Sequence, residues 1–168
     1  SLFARSRELG IPVVTAAPLG MGTAYLVFTS DGMSFEDYFR LDGPTPEKRS
    51  IQFMVGLAPR GLHRPALMDL TRVDFANEKG PSTPMGCQMA SSVVGAEAVK
   101  LLLGRGAVRP APYYHQFDPY VGRFVTGKLR WGNAGPLQRV KVRLAEHTLQ
   151  RLNSRFERDA ERNWNETS

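Results

Sequence analysis

One segment near the middle of the chain constrains the fold most, because it carries the start and stop signals of a single long helix. Thr83 is a favourable N-cap residue, and Pro84 suits the first helical turn, where its missing N–H costs no hydrogen bond. Gly104 supplies a favourable stop. Small or apolar side chains cover most of the helix circumference over residues 85–103. The pattern predicts a largely buried helix.

The segments on both sides of this helix have the composition of β-strands. Residues 11–17 are nearly all apolar, as in a strand covered on both faces, and residues 23–29 are rich in β-branched and aromatic side chains. Their short, glycine-containing connection predicts a hairpin or a sheet corner. Residues 113–117 and 121–126 predict two further strands around a tight turn at residues 118–120.

The stretch between the first strand pair and the long helix, residues 34–83, predicts an excursion from the sheet. Ser34 can cap a short helix that runs to Tyr38, and Pro46 can start another that runs to Leu57. Short helices are expected here because unstructured loops of this length are uncommon in compact domains.

The composition fits one ordinary globular domain. The chain has 168 residues, of which 42% are hydrophobic and 23% charged. It contains neither a run of roughly 20 apolar residues nor the residue order of a signal peptide, so no membrane association is expected. The single cysteine, Cys87, and three histidines offer no zinc-ligand spacing. We therefore expect a cytoplasmic protein with no metal site and no zinc.

The positive charge is concentrated near the C-terminus. Residues 1–120 carry 12 basic and 11 acidic side chains, whereas residues 121–168 carry 10 and 5. Residues 136–168 predict an amphipathic basic helix and tail, set apart from the domain of residues 1–135. Its apolar stripe comprises Leu137, Val140, Leu144, Leu149, Leu152 and Phe156. The stripe is expected to pack on the body or on a partner subunit, with nucleic acid or an anionic surface as the alternative.

Three segments in this order resemble the C-terminal half of the ThiF/MoeB/HesA proteins, the bacterial relatives of ubiquitin-activating E1 enzymes. The first is RELGIPVVTAAPLGMGTAYLVF, residues 7–28. The second is PMGCQMASSVVGAEAVKLLLGRG, residues 84–106, in which AEAVK at 96–100 is the most specific part. The third is HQFDPYVGRFVTGKL, residues 115–129. Together they cover a little over a third of the chain.

The resemblance implies an α/β fold: the C-terminal part of a Rossmann-like E1 fold, with a mixed sheet, one buried helix and a C-terminal amphipathic helix. It also implies an ATP-dependent adenylyltransferase that activates the C-terminal carboxylate of a ubiquitin-like or sulfur-carrier protein, usually as a homodimer. ATP and Mg²⁺ are expected for a full-length protein only, because the phosphate-binding elements belong to the family's N-terminal half. Ser1 lies inside what reads as a helix, which indicates the interior of a longer gene product.

Some positions depart from the family pattern. The family's first helix often carries Asn and Cys where this chain has Phe3 and Ser6. Paired C-x-x-C motifs are missing, and residues 34–83 contain no cysteine for thioester or sulfur chemistry. These departures keep open two alternatives: a catalytically degenerate scaffold that binds a partner protein, and a tRNA-modifying dehydratase of the same family.

Few side chains stand out as candidate functional groups, and no catalytic residue is assigned. Arg60, His63 and Arg64 form the best candidate for contact with an acidic partner or substrate, because Arg side chains in loops grip carboxylates and phosphates.

Other conspicuous residues are assigned structural roles. Gly20 and Gly22 are expected to permit unusual backbone angles or close packing. Glu97 and Lys100 are expected to form a structural ion pair. Cys87 is expected to be a small core filler rather than a reactive thiol.

Overall fold

The structure is a computed structural model that describes residues 1–43, 45–63, 82–148 and 151. These residues form a mixed α/β arrangement. Its helices are α1 (Leu2–Glu8), α2 (Phe35–Phe39), α3 (Pro46–Leu57), α4 (Pro84–Leu103) and α5 (136–148). Its strands are β1 (Val13–Leu19), β2 (Gly22–Phe28), β3 (Tyr113–Asp118) and β4 (Arg123–Lys128), and a 3-10 turn at Gly132–Ala134 precedes α5.

The four strands form one sheet in the order β1-β2-β3-β4, and each neighbouring pair is antiparallel. The prediction of a mixed sheet is therefore wrong for the described residues, where the parallel pairing is an isolated bridge between Gly20 and Ser82. Connectivity explains two of the three pairings, because β1–β2 and β3–β4 are hairpins, and short turns can join only antiparallel strands. The antiparallel β2–β3 pairing joins strands far apart in the chain. Of the two alternatives predicted for the first strand pair, the hairpin is confirmed, and so is the predicted strand pair around residues 118–120.

The two faces of the sheet are covered by different elements. Strand β2 lies in the interior of the sheet and is buried along its whole length. On the face that we call the aromatic face, Leu26 and Phe28 pack with Tyr38 and Phe39 of α2 and with Leu57 of α3. Helix α4 covers β1 and β2 on the opposite face, which we call the α4 face. The edge strand β1 is only partly buried, so the expectation that it is covered on both faces is wrong.

Helix α4 begins and ends where the sequence predicts, but it is not a buried helix. The Thr83 hydroxyl caps it by accepting from the Gly86 N–H, and Gly104 ends it with φ of 60°. Among its residues only Gly86, Ala90 and Glu97 are buried. The side chain of Leu102 is 85% exposed. The prediction failed because small residues lie on both sides of this helix, whereas the sheet covers only one.

Helix α5 contacts the body through Gln138 and Lys141, and Val142 and Ala145 beside them are half-buried. Gln138 is buried, whereas the predicted stripe residues Leu137, Val140 and Leu144 are exposed. The described part of this stripe does not pack on the body, because hydrogen bonds from the side chains of Gln138 and Lys141 attach the helix instead. Packing on a partner subunit and contact with nucleic acid or an anionic surface stay predictions. The remaining stripe positions 149, 152 and 156 lie outside the described residues. None of the helices that the structure describes combines the length and apolar character needed to cross a bilayer.

Candidate functional site

Four polar side chains meet between α4 and the sheet, and we call them the α4 polar cluster: Tyr25, Glu97, Lys100 and His115. The Lys100 ammonium forms a close ion pair with Glu97 Oε1, which confirms the predicted pair. The Tyr25 hydroxyl donates to the same oxygen at 3.4 Å. The imidazole of His115 stacks on the Tyr25 ring, with centroids 4.5 Å apart. The cluster therefore joins a helix to two neighbouring strands.

Strand register builds this cluster. Tyr25 and His115 are directly opposed in the β2–β3 pairing, so both side chains emerge on the α4 face. Glu97 is the buried residue of the last turns of α4, and its partner Lys100 follows one turn later. Lys100 also donates to the Ala107 carbonyl oxygen at 3.3 Å, which ties the loop after α4 to the cluster.

Burial dominates the electrostatics of the cluster. It raises the pKa of Tyr25 to about 12, and the Glu97 carboxylate adds to that rise. Burial lowers the pKa of His115, although the hydrogen bond to the Arg109 carbonyl and the Glu97 charge oppose this. Both rings are therefore held neutral near pH 7. The Glu97 Oε2 atom is buried and has no hydrogen-bond partner.

His115 is satisfied by the fold. Its Nε2 lies 3.3 Å from the Arg109 carbonyl oxygen, and its Nδ1 lies 2.9 Å from the Thr126 hydroxyl. Because a carbonyl only accepts, the proton is assigned to Nε2, and Nδ1 accepts from Thr126. With both ring nitrogens occupied, His115 has a structural role and not that of a general base.

Of the predicted contact group Arg60, His63 and Arg64, the structure describes the first two. The Arg60 backbone N–H donates to Gln116 Oε1 at 2.8 Å, so a buried side chain of β3 fixes the loop, while Arg60 itself is exposed. His63 lines a small recess that also includes Gln116 and Asp118. Arg64 lies outside the described residues, so its place in the group stays a prediction.

Asp118 also lines this recess, and the sequence predicted its role in a turn but not the burial of its carboxylate. Its Oδ1 accepts from the backbone N–H groups of Tyr120 at 2.9 Å and Val121 at 3.3 Å, which confirms its predicted role in the turn. Its Oδ2 is buried without a hydrogen-bond partner. The D-P-Y sequence indicated the turn, but burial of the carboxylate depends on β2, which no local pattern reveals.

The glycine loop between β1 and β2 does not fit a nucleotide phosphate. The Gly20 carbonyl oxygen accepts from Thr83 N at 3.2 Å and from Thr83 Oγ1 at 2.9 Å, so the loop presents an acceptor to the start of α4. A Cβ at Gly86 would lie 2.8 Å from that oxygen, and one at Gly22 would lie 2.3 Å from the Phe117 carbonyl oxygen. Phosphate needs donors and open space. Gly22 is closely packed and Gly20 has a positive φ of 58°, which are the two roles that the sequence predicted for these glycines.

Cys87 is exposed, so the prediction of a core filler is wrong; the residue lies on the outer side of the first turn of α4. Within residues 1–43, 45–63, 82–148 and 151, no group of three or more His, Cys, Asp or Glu side chains could hold a metal ion. No protein-family model matches the chain, and no curated protein matches it at a significant level.

Proposed function

We propose that this chain forms the C-terminal part of a ThiF-type, E1-like adenylyltransferase of Rossmann-like fold. In this proposal the full-length protein uses ATP to activate the C-terminal carboxylate of a ubiquitin-like or sulfur-carrier protein, and it acts as a homodimer. The part described above supplies the scaffold behind the nucleotide-binding half and has no catalytic residue of its own.

One observation carries the proposal: the three segments on which the resemblance depends meet in one packed unit. The α4 polar cluster takes Tyr25 from the first segment, Glu97 and Lys100 from the second and His115 from the third. Lys100 and Glu97 also belong to AEAVK at 96–100, the most specific part of the resemblance. A chance likeness of three separate stretches gives no reason for their polar residues to converge.

The nucleotide itself has to be bound elsewhere. The loop at Gly20 and Gly22 presents carbonyl oxygens and close packing, which do not fit ATP or its Mg²⁺. We therefore derive no catalytic step from the described residues. The proposal assigns the phosphate-binding loop and the metal-binding acid to sequence upstream of Ser1.

A second candidate, a degenerate scaffold that binds a partner protein, is favoured by one contact. Phe3 occupies the position where the family often has Asn, and its ring stacks on Phe35 with centroids 4.0 Å apart and meets the edge of Phe28 at 5.5 Å. This position therefore serves packing instead of polar recognition. The tRNA-modifying alternative has only the basic C-terminal composition in its support.

The test is ATP–pyrophosphate exchange by the gene product that contains this chain and its upstream sequence. The probes are the ubiquitin-like carriers encoded in the same genome, each with a free C-terminal carboxylate, and the matched controls are the same carriers with an amidated C-terminus. We expect exchange only with a free carboxylate, because adenylation consumes that group.

Exchange that ignores the carrier's C-terminus, or no exchange with any carrier, would contradict the adenylyltransferase and favour the scaffold. Tight tRNA binding that weakens steeply with salt, without exchange, would favour the dehydratase reading.

A further inference from the structure

The β3–β4 half of the α4 face is accessible to solvent, because α4 packs on β1 and β2 and β4 forms an edge of the sheet. Strand alternation places two opposed pairs on this half: Tyr113 with Lys128, and Phe117 with Phe124. The Phe124 side chain is 59% exposed, Lys128 is exposed, and Tyr113 and Phe117 are half-buried. We call these residues the β3–β4 surface.

Aromatic rings form one end of the β3–β4 surface. The Tyr25 and His115 rings are parallel to within 12°, and those of His115 and Phe124 to within 11°, so the rings form a row across the sheet. Phe117 meets the Phe124 ring on edge, with centroids 6.1 Å apart. The described sheet ends at β4, so the row ends in an exposed ring. Another flat ring can extend such a row by stacking.

Cations form the other end of this surface. The Lys128 ammonium lies 4.9 Å from the centroid of the Tyr113 ring, and the guanidinium of Arg109, which is exposed, lies 5.9 Å from it. Neither cation forms an ion pair with a described residue. Glu97 on the same face already pairs with Lys100. The positive charge at this end is therefore not compensated within the described residues.

The surrounding sequence has the same sign of charge. Residues 101–131 contain five basic residues and one acidic residue, Asp118, which is buried. Asp118 directly follows Phe117 in β3, so it lies on the aromatic face of the sheet. The strand rise separates Phe124 from Lys128 by about 13 Å. A ligand that meets both ends therefore needs planar rings and anionic groups along an extended chain.

We propose that the β3–β4 surface binds single-stranded nucleic acid. A base stacks on the Phe124 ring, and phosphates pair with Lys128 and Arg109. An unpaired strand suits this surface because its bases are free to stack on side chains, whereas the bases of a duplex stack on one another. An acidic peptide or an anionic lipid surface would match the charge but not the row of rings. The proposal is independent of the adenylyltransferase proposal and concerns unpaired strands, not folded tRNA.

The binding test measures fluorescence polarisation of a labelled oligothymidylate of about 12 nucleotides against the 168-residue chain. We expect saturable binding, about tenfold tighter than that of a duplex of the same length at about 0.15 M salt. Excess ATP should not displace the strand, because it supplies a single base.

The stacking test uses variants of Phe124. Phe124→Ala should weaken binding by about tenfold, whereas Phe124→Trp, which keeps a flat ring, should retain it. Trp131→Ala is the matched control, because Trp131 is 61% exposed and precedes the 3-10 turn that packs on α2 and α3. This control should change affinity by less than about twofold.

The charge test compares two exposed cations. Lys128→Gln should reduce the slope of log affinity against log salt by about 0.7, the value for one phosphate contact on a single strand. Arg143→Gln removes the same charge from an exposed position on α5 and should leave the slope unchanged. Because the substituted side chains are exposed, circular dichroism should show that all these variants keep the fold.

Five results would overturn the proposal: duplex binding as tight as that of the strand, equal effects of Phe124→Ala and Trp131→Ala, a salt slope that falls with Arg143→Gln but not with Lys128→Gln, full displacement of the strand by ATP, or binding to anionic lipid vesicles without binding to the strand. The third result would assign the strand to α5, the fourth would indicate a mononucleotide site, and the fifth a membrane surface.

Discussion

The two faces of the sheet are built on different principles. The aromatic face packs Phe28 against Phe35, Tyr38 and Phe39, with neighbouring ring centroids 4.7 to 6.3 Å apart. The α4 face instead places a half-buried ion pair, a tyrosine and a histidine under a helix of small residues. Apolar burial stabilises the aromatic face, whereas on the α4 face polar contacts fix the position of the helix.

This difference predicts which face tolerates substitution better. Apolar packing tolerates many substitutions that conserve volume, whereas a buried polar cluster requires each partner at its place. The buried Glu97 carboxylate depends on the ion pair with Lys100 and the hydrogen bond from Tyr25. Substitutions on the α4 face are therefore expected to be restricted to fewer residue types than those on the aromatic face.

The largest effect should come from the aromatic face. Phe39 is fully buried among aromatic rings, so Phe39→Ala should lower the free energy of unfolding by about 3–5 kcal/mol. Urea denaturation measures the change. The matched control is Phe124→Ala on the other face, where the ring is 59% exposed and the loss should stay below about 1 kcal/mol. Similar losses at both positions would remove the distinction between the faces.

The second effect tests the ion pair. Lys100→Met should cost about 1–3 kcal/mol, because it leaves the Glu97 carboxylate buried without its cation. Glu97→Gln should cost less, since the amide oxygen still accepts from Tyr25 and Lys100, whose side chain is 30% exposed, can turn toward water. Unfolding free energies of both variants and of the double variant measure this asymmetry. If Glu97→Gln is the more destabilising, the polar account of this face is wrong.

A smaller effect of opposite sign is expected on the outer side of α4. A Cβ at Gly95 would meet nothing within 4 Å, so Gly95→Ala should raise the free energy of unfolding by about 0.5–1 kcal/mol. Gly127→Ala is the contrasting variant, because its Cβ would lie 2.3 Å from the Tyr114 hydroxyl oxygen. Destabilisation by Gly95→Ala would indicate that this side of α4 is packed against another chain.

The smallest effect concerns pH. Burial lowers the pKa of His115 in the folded chain, so the unfolded chain binds the proton more readily. The contribution of His115 is therefore fully present above its unfolded pKa of about 6.5 and declines as the pH falls toward the lowered folded value. Urea midpoints at about pH 7.5 and 5.5 should differ less in His115→Phe than in the parent chain. An unchanged difference would contradict a neutral, buried His115.

Local signals predicted most of the elements. The caps at Ser34 and Thr83, the stop at Gly104 and both hairpins depend on a few neighbouring residues, and the structure has them where the sequence placed them. Burial was harder to predict. Helix α4 has small residues on every side, so no pattern showed which side the sheet would cover.

The residues of the α4 polar cluster come together through the pairing of strands that are far apart in the chain. Glu97 and Lys100 were found from their spacing, but the pairing of Tyr25 with His115 joins strands 90 residues apart in the chain. In α5 the aliphatic spacing correctly indicated a helix but did not show which side faces the body, because the Gln138 and Lys141 hydrogen bonds depend on carbonyl groups of the α3 region. Neither relation is visible in a local stretch of sequence.

The most direct test of the functional account is a calorimetric titration of Mg·ATP into two proteins: the 168-residue chain and the same chain with its upstream sequence. Because the Gly20 loop offers acceptors and no space, we predict no saturable heat for the shorter chain and one-site binding for the longer one. Saturable binding by the shorter chain, or none by either protein, would contradict the proposal that this chain is the scaffold half of an adenylyltransferase.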